Sequence, residues 1–163
     1  MSAQLSAAEL WSIVPLDAAR VPTILDIERH GYRYPWSEAI IRDCFKSGTG
    51  VWGVENASGE LIAYAFFSMA VGEAHVLNLC VDPTVQGQGV GRYLMQHLIT
   101  LARAALCTIV LLEVRRSNTA ARRLYAGLGF AHLGTRKGYY PAAEGREDAL
   151  VLGYEITDVG TEE

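Results

Sequence analysis

The chain has 163 residues, half of them apolar and a fifth charged, with a net charge of −4; that is enough for one domain with its own core and too acidic for a general nucleic-acid binder, which needs a basic surface. No apolar run approaches the ~20 residues that cross a bilayer, and the start MSAQLSAAELW lacks the basic-then-apolar order of a signal peptide. Cys44, Cys80 and Cys107 make no disulfide framework, and His30, His75, His97 and His132 stand at no metal-ligand spacing, so the expectation is a cytoplasmic protein with no metal and no membrane contact.

In chain order, LWSIVPLD (10–17) reads as a strand and AARVPTILDIERHG (18–31) as a helix that Gly31 ends. PWSEAIIRDCFKSG (35–48) is a second helix, with Ser37 as its N-cap. VWGVEN and ELIAYAFFSMAV flank ASG, a hairpin signal. After a short link, AHVLNLCVDP (74–83) is a further strand, ended by Asp82-Pro83. Val90, Leu94, His97, Leu98, Leu101 and Ala105 form one stripe of a helix from Gly89 to Ala105. CTIVLLEVR (107–115) is a buried strand with Glu113 near its end. SNTAARRLYAGLG (117–129) is a helix with Ser117 or Asn118 as cap and Gly127 or Gly129 as stop. FAHLGTRKGYY and EDALVLGYEI close the chain as a hairpin around PAAEGR. The order predicts a single α/β (α+β) domain over 1–156, followed by a polar, disordered tail at 157–163.

VQGQGVGRYLMQHLI (85–99) sets Gly87, Gly89 and Gly91 at the mouth of a helix, which they weaken. A helix N-terminus carries about half a positive charge and up to four unpaired N–H groups, and glycine lets a ligand approach the backbone. The stretch is a candidate phosphate or pyrophosphate site, to which Arg92 adds a charge-assisted contact. The alternative is a tight turn into the helix, in which one or two glycines serve geometry alone. The G-x-G-x-G spacing fails the dinucleotide fingerprint, and Gly91-Arg92-Tyr93 fails the P-loop ending.

Gln86-Gly87-Gln88-Gly89-Val90-Gly91 reads Q-x-x-G-x-G, and on it the chain resembles the Gcn5-related N-acetyltransferases along most of its length. PWS (35–37), LEVRRSNTAARRLYAGLGF (112–130) and YYPAAEGREDAL (139–150) look like the RimI branch, whose members acetylate the N-terminal alanine of a small-subunit ribosomal protein. The resemblance implies a mixed, mostly antiparallel sheet of about seven strands with about four helices. It implies acetyl-CoA as cosubstrate, its pyrophosphate on Gln86, Gly87, Gln88, Gly89, Val90, Gly91 and Arg92. Leu79, Cys80 and Val81 would form the strand beside the pantetheine, with the Val81 amide on the thioester oxygen, and Asn118 would contact the coenzyme. The family loop often carries arginine where Gln86, Gly87 and Gln88 stand, so here binding leans on backbone and Arg92.

Acetyl transfer to an amine needs a base, donors to the carbonyl oxygen and a proton for the leaving thiolate. By spacing alone Glu113 is equally a base or a carboxylate that caps the sheet edge or pairs with Arg115 or Arg116; the resemblance implies the base. A carboxylate suits an α-amine (pKa near ~8) better than a lysine (near ~10.4), a gap of roughly 3 kcal/mol. Tyr125 could be an apolar-face residue; the resemblance implies the acid. Cys80 lacks the activating base that an acetyl-cysteine route needs. Trp36, Tyr139 and Tyr140 are implied as walls of the peptide groove, alongside Glu144, Glu147 and Asp148, whose charge would suit a basic ribosomal N-terminus. The rival readings are a same-fold acetyltransferase of small amines and a non-catalytic acetyl-CoA-binding module.

Overall fold

The computed structural model describes residues 10–157, so the tail expected at 157–163 lies, but for Thr157, outside the described residues. Among the described residues, seven strands form one sheet in the order β1-β2-β3-β4-β5-β7-β6, with the four α-helices whose bounds follow. These are β1 Ser12–Pro15, α1 Val21–Gly31, α2 Glu38–Lys46, β2 Gly50–Glu55, β3 Leu61–Ala70, β4 Glu73–Val81, α3 Val90–Ala104, β5 Ile109–Arg115, α4 Thr119–Leu128, β6 Ala131–Pro141 and β7 Arg146–Glu155. Short 3-10 turns at Ala18–Arg20 and Pro83–Val85 complete the set. Only β4 and β5 pair in parallel among the strand pairs whose registers are described here, as the crossover through α3 requires. No described helix is long and apolar enough to cross a membrane.

The residues gather in two compact units, one of residues 10–68 with 78–97 and one of residues 69–77 with 98–157. In the first, α1 opens with Pro22 in its first turn, where a missing N–H costs nothing. It buries Val21, Ile24, Leu25, Ile27 and Glu28, a helical stripe. Ser37 caps α2 by accepting from the Ile40 N–H at 3.2 Å. β2 and β3 pair antiparallel from Gly50↔Phe67 to Glu55↔Leu61 with a bulge at Val54/Glu55. The Asn56 side chain shapes their turn by accepting from Ser58 N and Glu60 N. LIAYAFF of β3 is buried residue after residue, as a strand covered on both faces must be. Tyr64 and Phe66 join Ile24, Ile41 and Cys80 in the core of this unit.

In the second unit the β4–β5 ladder runs from Glu73↔Ile109 to Val76↔Leu112 and stops there. β5 continues alone on that side through Glu113, Val114 and Arg115, which pair only with β7. β6 pairs β7 antiparallel with irregularities at His132/Gly134 and Arg136/Tyr140. Asn118 caps α4, and Gly129 ends it in the left-handed region at φ +106°, which decides between the two caps and the two stops that the sequence allowed.

Candidate active site

The site residues fall into one set in each unit. In the first, Asp82 ends β4, its N–H bonding Ile62 O at 2.8 Å, and the chain turns through Pro83–Val85 into Gln86–Gly89, all exposed. Gly87 and Gly89 take φ of +81° and +90°, a conformation that glycine adopts without strain. Among the described residues, no protein acceptor meets the N–H groups of Gln86–Gly89. Tyr93 N closes the first helical turn onto Gly89 O at 3.0 Å, and Val90 is buried while Arg92 stays exposed. Unpaired donors at the start of a 15-residue helix fit a pyrophosphate. Gln86 is turned back, its Nε2 donating to Val81 O at 3.2 Å, so it braces the loop.

On β4 the Leu79 carbonyl accepts from the Tyr32 hydroxyl. Cys80 is 4% exposed. Burial, with the nearby Glu28 charge, pushes its thiol up to about 12, so it is inert as a nucleophile. Trp36 is half-buried, its ring 5.3 Å from that of Phe66, so part of this one expected wall residue packs on the core.

In the second unit Glu113 stands on β5 one residue past the end of the parallel ladder, its side chain 28% exposed and 2.6 Å from Arg136 Nε. Arg136 is a partner that spacing along the chain did not offer beside Arg115 and Arg116. Glu113 pairs Val151 and Arg136 pairs Ala149, so both side chains stand on one face with β7 between them. The cationic bridge spans two ~4.8 Å strand spacings. Arg115 donates to Pro141 O and Glu147, and its guanidinium lies 4.4 Å over Tyr140. Ser117 N donates to Glu147 at 2.6 Å, and these bonds hold the Glu147 carboxyl below the usual carboxylate range. Arg116 pairs with Asp148, which also accepts from Gly138 N. Of the hairpin acids expected to face substrate, Glu147 is thus tied to Arg115 and Ser117 and Asp148 to Arg116 and Gly138, while Glu144 is exposed.

Asn118 Oδ1 accepts from Ala121 N at 3.1 Å, leaving Nδ2 as a donor. Tyr125 is 6% exposed, with Phe130 at a ring distance of 5.6 Å, and burial keeps its phenol well above its ordinary value. Tyr139 and Tyr140 stack edge to face at 5.1 Å; Tyr139 is exposed. Burial, then the Glu113 charge, pushes Tyr140 up to about 12. A groove of about 510 Å³ lined by Arg116, Arg122, Arg123, Phe130 and His132 contains none of the site residues that the sequence singled out. No cluster among the described residues could hold a metal ion.

Sequence reasoning missed Glu28, which is 1% exposed. Its signal was a carboxylate in phase with Val21, Ile24 and Leu25 on the buried stripe of α1. It also missed Arg136, because strand order, not spacing, brings it to Glu113.

Residues 21–130 match the model of the acetyltransferase (GNAT) family. Over 149 residues the chain is 36% identical to the [ribosomal protein bS18]-alanine N-acetyltransferase of Escherichia coli K12, covering 90% of this chain and 98% of that one. The Salmonella typhimurium enzyme of the same name is 34% identical over 143 residues, 87% of this chain and 95% of that one. The crystal structure of the Escherichia coli ribosomal-protein-S18-alanine N-acetyltransferase superimposes with a TM-score of 0.85 at 33% identity, covering 94% of this chain and 99% of that one. A Salmonella typhimurium protein solved with its cofactor acetyl-CoA shares the fold, with a TM-score of 0.75 at 19% identity over 94% of this chain and 98% of that one. The chain therefore belongs to the GNAT family of acetyltransferases.

Proposed function

We propose that this protein transfers the acetyl group of acetyl-CoA to the N-terminal α-amine of alanine in the small-subunit ribosomal protein bS18. The observation that carries the reading is the 36% identity to an enzyme of that name across nearly the whole of both chains. The site chemistry supports it. The N–H groups of Gln86–Gly89 and the start of α3 take the pyrophosphate, with Arg92 beside them. Acetyl-CoA supplies an activated carbonyl with a thiolate as leaving group. The Val81 N–H donates to the carbonyl oxygen as charge grows on it. Glu113, on the open edge of β5, takes the proton that the ammonium must lose. Arg136 holds that carboxylate in place, as a guanidinium does. Tyr125, kept protonated by burial, gives its proton to the sulfur. Transfer is direct, since Cys80 is no nucleophile. Trp36, Tyr139 and Tyr140 flank the incoming peptide, and its reaction belongs in the cytoplasm.

The test is acetyl transfer read by mass spectrometry on three amines: a short basic peptide starting with Ala, an N-terminally blocked twin containing Lys, and spermidine. The expected result is acetyl on the free Ala terminus alone, with the rate falling by ~10²–10⁴ in Glu113→Gln. Acetyl on spermidine or on the blocked twin rejects the substrate assignment. Bound acetyl-CoA with no transfer to any amine marks a binding module.

A further inference from the structure

Glu28 is the buried charged side chain of the described residues, 1% exposed, and no cation pairs with it. Its Oε1 accepts from the Tyr64 hydroxyl and from Asn78 Nδ2 at 2.9 Å. Its Oε2 accepts from the Trp36 N–H at 2.8 Å. Burying a carboxylate is costly unless every oxygen is hydrogen-bonded, and a well-packed apolar residue fills such a space at less cost. A role in the core alone does not explain the charge.

The three donors come from three separate segments. Tyr64 is in β3. Trp36 is in the turn between α1 and α2, and Asn78 in β4 is the residue before Leu79. The same turn is tied to β4 a second time, because the Tyr32 hydroxyl donates to the Leu79 carbonyl. The turn is therefore fastened at two successive residues of the strand that leads to the Val81 amide. The Glu28 carboxylate meets the turn at its backbone, through the Trp36 N–H, and the strand through Asn78 at the same time.

We propose that Glu28 is a positioning residue: its carboxylate sets the end of β4, and with it the amide that meets the thioester oxygen, against the α1–α2 turn that meets the peptide. The proposal rests on the function proposed above. It makes Glu28 neither base nor ligand. A donor placed even a fraction of an ångström off loses much of its value in the transition state.

Glu28→Gln tests it. Glutamine has the same shape but accepts on one atom and donates from the other. The Trp36 N–H cannot turn, so the glutamine oxygen stays there. The amide NH2 then faces Tyr64 and Asn78, which can both reverse and accept. The fold is kept and the link to β4 is altered. The expected result is a melting temperature within about 5 °C of wild type, a kcat for the Ala-starting peptide about tenfold lower and an unchanged acetyl-CoA KM. Asn78→Ala lowers kcat alike, and the double variant is no slower than Asn78→Ala, as residues acting through one link require. Tyr64→Phe removes a donor on which no reacting group depends, and kcat stays at the wild-type value. If Glu28→Gln does not fold, Asn78→Ala against Tyr64→Phe decides the matter alone.

Folded Glu28→Gln or Asn78→Ala with wild-type kcat overturns the proposal, as does a fall in kcat in Tyr64→Phe equal to theirs, which would mark a general core effect. Wild-type protein is run in parallel. Its failure to acetylate the peptide removes the proposed function, and the positioning role with it, whereas wild-type transfer with undiminished variants removes the positioning role only.

Discussion

Two ionisable groups in the second unit show how environment assigns roles. Glu113 is 28% exposed on an unpaired strand edge, within reach of a water or an amine. Tyr125 is 6% exposed and its phenol stays above its ordinary value through burial, then through the Tyr140 charge. A phenol donates only while protonated, so a raised value extends its working range upward in pH. Tyr125→Phe keeps the packing on Phe130 and loses only the hydroxyl. The expected result is a kcat lower by about 10² with little change in melting temperature. In wild type, kcat has no falling limb below pH ~10, the ordinary value of a tyrosine; such a limb, absent in Tyr125→Phe, would show the phenol ionising early. At this scale the sequence was legible where one residue type stands alone. A single carboxylate ending an apolar strand drew attention to Glu113. Glu28 drew none, although its place on the stripe with Ile24 and Leu25 marked it. Its three donors come from residues that only folding brings near.

At the scale of elements, apolar period and Gly or Pro punctuation located the seven strands and four α-helices bounded among the described residues, though not the 3-10 turn at Pro83–Val85, since they rest on local chemistry such as the Ser37 and Asn118 caps. What a glycine is for could not be read so. Gly31 ends α1 and Gly89 opens α3, and they are required for opposite reasons. A Cβ on Gly31 would lie 2.5 Å from Cys80 Sγ, so α1 touches β4 only because that atom is missing. A Cβ on Gly89 would meet nothing within 4 Å, but its φ is +90°. Gly31→Ala therefore overpacks the core, and the expected cost is about 1–3 kcal/mol of stability by denaturant unfolding. Removing the sulfur relieves it, so Gly31→Ala with Cys80→Ala should lose less than the sum of the two. Strict additivity would show that the contact is not what limits the position. Gly89→Ala strains the backbone by roughly 1–2 kcal/mol in an exposed loop. Its effect should appear as a weaker acetyl-CoA KM with the kcat retained, because the unpaired N–H groups no longer converge.

At the scale of the whole molecule, strand order was the part that no local signal carried. Hairpins are written in sequence, but the insertion of β7 between β5 and β6 is not. That insertion sets Arg136 against Glu113 and commits Arg115 to Glu147. The same order ties up Glu147 and Asp148 of the hairpin, while Glu144 stays exposed. The stability of the whole chain also has a pH dependence that the sequence did not announce. His97 sat in the apolar stripe of α3, and there its ring meets Trp52 edge-on at 4.7 Å. Its Nε2 is buried with no hydrogen-bond partner among the described residues, and burial lowers its pKa below the usual value. The folded state therefore resists a proton that the unfolded chain accepts. The contribution of neutral His97 to stability is whole above the unfolded value of ~6.5 and is lost as the pH falls below it. His97→Phe keeps an aromatic ring on Trp52 and removes the proton site. Melting temperatures of the two proteins, measured from pH 7.5 to 5, should diverge as the pH falls, with the variant losing less. A constant difference across that range would mean that His97 does not resist protonation in the fold, and that the acid sensitivity of the molecule lies with other groups.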